Sequence, residues 1–302
     1  EQFSHDLKSA LILFYKNRKQ QSLLKKIINY IAVNKEDFNI ILFDLGARSD
    51  LHSFYIDLQK KNLLEGFGFE PGKKESELLK EHSHFNRIIP KALARSVGKR
   101  TIYITKRPGC SSLYEPNYQN IKNTRVHEYF KVLEKLEIEV DTLNNVIQDF
   151  DIPFPEYIKM DIQGAELEVL ESMGNRLKKV TGIHLESHMR EIYKGEGLFC
   201  DIHKLLTDKG FSLIRNTHHE NFEGEVLEVE VAYVNRIHIS DAKADVLKAV
   251  LFCLVHKNVR YAALLIRTSG LSSELKKQLL KILNEPIEPV THTYAPDMKI
   301  GW

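Results

Sequence analysis

Several things are scarce in this chain, and each scarcity excludes a class of protein. Only three of the 302 residues are cysteine. Cys110, Cys200 and Cys253 stand far apart without a C-x-x-C pair, which argues against a disulfide framework or a structural zinc site. They read as reduced thiols, mostly buried. Cys110 lies in the loop composition Arg107-Pro108-Gly109-Cys110-Ser111-Ser112 and is the one expected at the surface. No apolar run approaches the roughly 20 residues of a membrane helix. The charged, aromatic stretch from Glu1 does not read as a signal peptide, so the expectation is a cytoplasmic protein without a membrane span. A charge excess is also missing: 43 Lys and Arg against 41 Asp and Glu leave +2. That balance excludes a surface built wholly for nucleic acid, and none is expected as a partner. Internal repeats and low-complexity segments are absent. What is present, 43% hydrophobic residues, is enough to bury a core.

Apolar residues recur at helical spacing through Leu7, Ala10, Leu11 and Phe14, and again through Leu24, Ile27, Ile28 and Ile31. The run Asn39-Ile40-Ile41-Leu42-Phe43 before Asp44-Leu45-Gly46 suits a strand buried on both faces. A helix over 49–61, a strand at Gly66–Phe69 ending in Glu70-Pro71, a polar helix to His82 and a strand over 87–93 follow. This β-α-β-α-β order predicts a parallel sheet with right-handed crossovers. Residues 100–105 and 132–140 alternate like exposed strands around a Pro/Gly/Ser/Asn loop. Then come a helix over 141–148, strands over 157–162 and 180–186 with a helix over 165–173 between them, and a helix over 199–209. Strands at 211–215 and 226–234 read as an antiparallel hairpin whose turn holds His218 and His219. From Ser240 the pattern is helical to Leu283, before a tail punctuated by Pro286, Pro289 and Pro296. The expected organisation is an N-terminal helical segment over 1–37, a catalytic domain over 38–237 and a C-terminal helical extension over 238–302. Apolar stripes at Leu247, Val250, Leu251 and Leu254, and at Leu275, Leu279, Ile282 and Leu283, must be covered either by the same chain or by a homodimer partner.

The first informative cluster is Phe43-Asp44-Leu45-Gly46-Ala47-Arg48-Ser49-Asp50. Dinucleotide enzymes place G-x-G-x-x-G at this turn to hold a pyrophosphate. Here only Gly46 is present, behind an acid. Asp44 would repel phosphate and suits a ligand bearing an ammonium and a sulfonium, which is S-adenosyl-L-methionine (SAM). Glu70 closes the next strand, where a carboxylate accepts both hydroxyls of a ribose, and ligands of open parallel sheets sit at the carboxyl ends of strands. A third acid, Asp161, ends the strand Tyr157-Ile158-Lys159-Met160 ahead of Ile162-Gln163-Gly164-Ala165-Glu166. It belongs to the same rim, or it caps the following helix; Glu166 supports the first helical turn or nearby backbone.

Taken together, Asp44-Leu45-Gly46-Ala47, Gly68-Phe69-Glu70-Pro71, Ala92-Leu93, Lys159-Met160-Asp161-Ile162-Gln163-Gly164-Ala165-Glu166 and Gly210-Phe211 resemble the FkbM family of SAM-dependent methyltransferases. The Lys-x-Asp-x-x-Gly-x-Glu block is the most specific of these motifs. The resemblance spans about 40–215, with weaker support to 234. It implies a Rossmann-like class I methyltransferase fold, with a seven-stranded, mostly parallel sheet of order 3-2-1-4-5-7-6 and its last strand antiparallel. It also implies O-methylation of a hydroxyl, often on a sugar, glycan or secondary metabolite. Asp44, Gly46, Ala47, Glu70 and Pro71 then form the cofactor site, and Ala92 and Leu93 flank the adenine. Two positions depart from the family: Arg48 stands where Asn is usual and Asp50 where Gly is usual. Arg48 brings a cation near a cationic cofactor unless it pairs with Asp50 or reaches the carboxylate of SAM.

An alkyl hydroxyl needs a base within hydrogen-bond reach before it attacks. Asp161 is the first candidate, with Glu186 and His188 behind it. His184, Glu186 and His188 share one strand face at period two; with Asp161 they could hold a divalent cation, but hydrogen-bonded neutral histidines are the commoner arrangement and no metal is expected. The rival reading is a non-catalytic protein that keeps the fold as a SAM-binding or interaction module.

Overall fold

A computed structural model of the chain describes residues 21–34, 38–219, 224–236 and 242–287, without the side chains of His218 and His219. The helix read over Leu7 to Phe14, the helix start at Ser240, and Pro289 and Pro296 lie outside these residues. A helix over 21–33 (α1) leads into β1 (Ile40–Leu45), α2 (Ser53–Gln59), β2 (Leu64–Phe69), α3 (Lys73–His82) and β3 (Arg87–Ile89). After an insertion that holds a short helix α4 (Tyr118–Ile121) and three strands described below come α5 (Leu143–Asp149), β7 (Tyr157–Met160), α6 (Glu166–Ser172), β8 (Gly182–His188), α7 (Phe199–Asp208), β9 (Phe211–His219) and β10 (Glu228–Asn235). Three helices close the described chain: α8 (Lys243–Val255), α9 (Val259–Thr268) and α10 (Ser273–Leu283).

The central sheet has the order β3-β2-β1-β7-β8-β10-β9. Counting only its own strands, this is 3-2-1-4-5-7-6. β10 runs antiparallel to both neighbours. All six residues of β1 are buried because each face of the strand has a helical layer. Ile40 and Leu42 pack with α1, α2 and α8–α10; Ile41, Phe43 and Leu45 pack with α5, α6 and α7. The terminal helices are thus the cover of one sheet face. Leu247, Val250, Leu251, Leu254, Leu279 and Leu283 are buried there, with Leu275 and Ile282 packed against them. Both apolar stripes are covered within the chain, so neither offers an exposed face to a dimer partner.

Four expectations need correction. The strand read over 87–93 is two strands: Pro90 supplies no N–H for the ladder, the chain turns at Lys91, and β4 (Ala92–Leu93) leaves the main sheet. It joins β5 (Gly98–Thr105) and β6 (Val132–Asp141) in a separate sheet of order β4-β6-β5. His218 and His219 are not in the hairpin turn but continue β9, opposite Val229 and Glu228. Cys110 is buried and Cys200 exposed, because a one-turn helix at Pro108–Cys110 packs the thiol against Ile121, Phe130 and Tyr193. Asp161 does not cap α6, whose first turn follows Ala165 without a side-chain cap.

Candidate active site

The site forms where the chain leaves β1. Gly46 adopts φ +84°, and a β-carbon there would stand 2.1 Å from the carbonyl oxygen of Asp161. Only glycine lets the two strand ends approach so closely. The N–H groups of Gly46 and Ala47 both donate to the carbonyl of Phe69 at 3.0 Å, folding the loop over the end of β2 and beside Glu70.

Beside this loop lies a cavity of about 430 Å³. Gly46, Glu70, Pro71, Ala92, Leu93 and Asp161 line it, as do Arg48, Ser111, Ser112 and Gln163. Its remaining wall is the β5–β6 ribbon, which contributes Ile102, Ile104, Leu136 and Ile138, with Ile102 directly opposite Leu136. The ribbon is braced from behind by Glu168 of α6, which accepts from the Arg95 N–H at 3.0 Å and the Tyr114 hydroxyl at 3.1 Å and pairs with Arg100 at 3.4 Å. The alternation of Ile102 with Ile104, and of Leu136 with Ile138, marks the apolar side of this ribbon in the sequence; what faces that side is legible only in three dimensions.

Glu70 is 5% exposed. One carboxylate oxygen accepts from the Gly72 N–H at 2.7 Å, and no other hydrogen bond reaches the group among the described residues. Burial pushes its pKa up, against the Gly72 hydrogen bond and the Arg48 charge. Asp161 is oriented from the side: its Oδ1 accepts from Gln163 Nε2 at 2.7 Å, and the Gln163 Oε1 accepts from the Tyr193 hydroxyl at 2.7 Å. Gln163 sits at φ +55° and Gly164 at φ +100°. That turn is held by Glu166, whose two oxygens accept from the N–H groups of Ile162 at 2.8 Å and Gly164 at 2.9 Å.

Four of the expected site residues stand back from the cavity. Asp44 is buried and paired with Lys159 Nζ at 2.9 Å, its partner in the β1–β7 register. Burial disfavours the lysine charge, but Asp44 and Asp161 outweigh it and Lys159 is held above its usual value. Ala47 packs between Leu79 and Ile88. Glu186 lies behind Asp161; burial first, then hydrogen bonding and charge from Glu228 and Asp161, push its carboxyl up to about 11, so it carries a proton at neutral pH. His188 is buried with its Nδ1 2.6 Å from Glu196. Burial works against its charge and Glu196 overcomes it, leaving its pKa raised. Glu196 also accepts from the N–H groups of Ile192 at 2.6 Å and Tyr193 at 2.9 Å, so the pair clamps the loop that carries Tyr193. Asp50 pairs with His84 at 2.5 Å rather than with Arg48. No group of three or more His, Cys, Asp or Glu positioned for a metal ion occurs among the described residues.

A mostly parallel sheet of this order, with a ligand-sized cavity at the carboxyl ends of its first strands, defines a class I methyltransferase fold. Residues 37–213 match the family described as the Methyltransferase FkbM domain, and the chain belongs to that family. It is a SAM-dependent methyltransferase. A curated relative, Methyltransferase sdnD of Sordaria araneosa, is 24% identical over 201 residues, 59% of this chain and 76% of its own. Among solved structures, magnesium protoporphyrin IX methyltransferase from Synechocystis PCC 6803 with bound SAM matches at TM-score 0.35 and 12% identity, over 72% of this chain and 79% of that one. Precorrin-6y C5,15-methyltransferase from Geobacter metallireducens matches at TM-score 0.32 and 12% identity, over 72% and 87%. The fold assignment stands on the strand order and the family match. The cavity's own residues fit the cofactor: one buried carboxylate with unused acceptor capacity, an apolar slot at Ala92 and Leu93, and a glycine that admits close approach. Among the described residues no helix is long and apolar enough to cross a membrane.

Proposed function

We propose that this protein is an O-methyltransferase acting on a hydroxyl of a sugar, glycan or secondary metabolite. The observation that carries the reading is the Asp161 carboxylate on the cavity wall, oriented by Gln163 and adjoining Gly46. In this reading Glu70 accepts the ribose hydroxyls, Pro71, Ala92 and Leu93 bound the adenine, and Gly46 admits the methionine end beside Asp161. The cofactor supplies an electrophilic methyl group, and transfer to oxygen is a direct displacement that needs the nucleophile in line with it. Asp161 receives the acceptor's hydroxyl hydrogen bond and takes its proton as the oxygen attacks. Neutral Glu186 cannot compete for that proton, and His188 is committed to Glu196 away from the cavity. The apolar ribbon excludes water from the reacting centre, while Ser111 adds a polar group to the cavity wall.

The experiment is Asp161→Asn, which keeps the shape and the Gln163 contact but removes the proton acceptor. Turnover should fall by roughly 10²–10⁴-fold, while S-adenosylhomocysteine affinity, measured by calorimetry, stays within about threefold, less than the loss of a charge-assisted hydrogen bond. Acceptors come from a comparison of metabolites and glycans between a deletion strain and its parent, scored for a lost methyl group. An unchanged turnover number in the variant would return Asp161 to a structural role. Cofactor binding without turnover of any acceptor would favour a binding module over an enzyme.

A further inference from the structure

Two guanidinium groups flank Gly109 beside the cavity, and neither is in an ion pair among the described residues. Arg48 lines the cavity, and its Nη1 lies 3.9 Å from the point where a β-carbon on Gly109 would stand. Arg107 Nε lies 4.0 Å from the same point, and nothing else stands within 4 Å of it. Arg107 is steadied over the Tyr129 ring, 5.1 Å from its centroid. No carboxylate lies within ion-pair distance of either guanidinium among the described residues: Asp50, two residues on from Arg48, is paired with His84, and Glu70 feels the Arg48 charge from beyond that distance. Like charges on either side of one point repel each other, and a fork of guanidinium donors is the geometry that recognises carboxylate and phosphate oxygens. The site adjoins Pro108 and Ser111, both on the cavity wall, so an anion held there would be part of whatever occupies the cavity.

We propose that Arg48 and Arg107 form an anion site over Gly109, which takes a carboxylate or phosphate group of a ligand in the methyl-transfer cavity. Two sources share this chemistry, the carboxylate at the methionine end of the cofactor and an acidic group on the acceptor. The inference rests on the cavity being the cofactor and acceptor site. Gly109 supplies an internal test: its backbone is not in the left-handed region and a β-carbon there would meet the two guanidiniums at ordinary van der Waals distance, so Gly109→Asp places a tethered carboxylate beside both without backbone strain and competes with any ligand anion.

Calorimetry compares wild type with Arg48→Met, Arg107→Met and Gly109→Asp, each confirmed as folded by its melting temperature. The ligands are S-adenosylhomocysteine, 5′-methylthioadenosine, which lacks the amino-acid end, and inorganic phosphate titrated into the S-adenosylhomocysteine complex. If the cofactor carboxylate is the anion, all three variants lose roughly ten- to a hundredfold in S-adenosylhomocysteine affinity and none in 5′-methylthioadenosine affinity. If the acceptor carries it, S-adenosylhomocysteine affinity is unchanged, while phosphate binds the wild-type complex and fails to bind the variants. Unchanged affinity for both S-adenosylhomocysteine and phosphate across the three variants would overturn the anion site. Wild-type protein that binds neither nucleoside would overturn the cavity reading instead, and phosphate binding would still report on the arginine pair.

Discussion

Replacing Glu70 measures the cofactor site most directly. One oxygen of this buried carboxylate is already committed to the Gly72 N–H at 2.7 Å, so the group has one free oxygen to offer a ribose. A single charge-assisted hydrogen bond contributes about 1.5–3 kcal/mol, so Glu70→Ala should weaken S-adenosylhomocysteine binding roughly ten- to a hundredfold. Glu70→Gln keeps an oxygen for Gly72 and turns an uncharged amide towards the ribose; a neutral bond is worth about 0.5–1.5 kcal/mol, so the loss is the difference, about 1–1.5 kcal/mol or roughly five- to tenfold. The pH dependence has a definite sign. Burial raises this carboxyl above its ordinary value, so on acidification it gains its proton earlier than an exposed glutamate. Wild-type affinity should therefore decline as pH falls towards that raised value, and Glu70→Ala should not share the decline. The unliganded protein behaves oppositely: the folded state holds the proton more tightly, so Glu70 contributes stability that is lost as pH rises through the same window. Isothermal titration with S-adenosylhomocysteine at several pH values reads the binding terms. Unchanged affinity in a folded Glu70→Ala protein would remove the ribose contact and the orientation of the cofactor built on it.

Glu166 is pushed up to about 7 by burial, so it contributes stability present below about 4.5 and lost as pH rises through 7. The shift converts to about 3 kcal/mol, and denaturant unfolding across that range should slope downward in wild type and flatten in Glu166→Gln. Breaking the buried His188–Glu196 pair by Glu196→Ala should cost about 3–5 kcal/mol, because it strands a buried histidine, as well as the N–H groups of Ile192 and Tyr193. The raised His188 pKa makes that pair's contribution complete below about 6.5 and lost as pH climbs past the raised value. His188→Asn should lower the melting temperature yet leave the turnover number of the folded enzyme within about threefold, since a general base contributes at least roughly a hundredfold; a larger loss would restore it as a base.

The strand sequence of the main sheet was legible because each element carries its own signature. β1 is apolar at every position but Asp44, which happens only when helices cover both faces, and glycines and acids mark where strands end. The ribbon was half legible. Ile102 and Ile104 alternate with polar residues, yet nothing in that period says that their apolar side closes a cavity rather than facing the main core. The break at Pro90 was readable in principle from the missing donor, but two residues of continued apolar character at Ala92-Leu93 masked it. The burial of Cys110 is not legible because a Pro-Gly-Ser composition describes a turn and not its depth; here the turn is pinned beneath Tyr193, whose hydroxyl donates to the Cys110 carbonyl at 2.9 Å. Glu196, distant from every motif, had no local signal at all.

Three acids end strands on one rim, and the register separates their roles. Asp44 and Lys159 are direct partners across β1 and β7, and alternation puts Asp161, two residues on, over the same face. The lysine of the Lys-x-Asp block therefore neutralises the acid of the first loop, and does so at depth, where an unpaired carboxylate would be costly. Glu186 is neutralised differently, by keeping its proton between Glu228 and Asp161. With those two charges removed, the carboxylates that line the cavity are Glu70 and Glu75 at one end and Asp161 at the other. A cationic methyl donor placed between them meets an acid at the ribose and an acid at the reacting centre, while Arg48 and Arg107 wait on the rim for the opposite charge. The block Lys159-Met160-Asp161 thus acts inward to hold the strand ends together, and in the proposed mechanism outward, by placing one carboxylate where the acceptor's proton leaves.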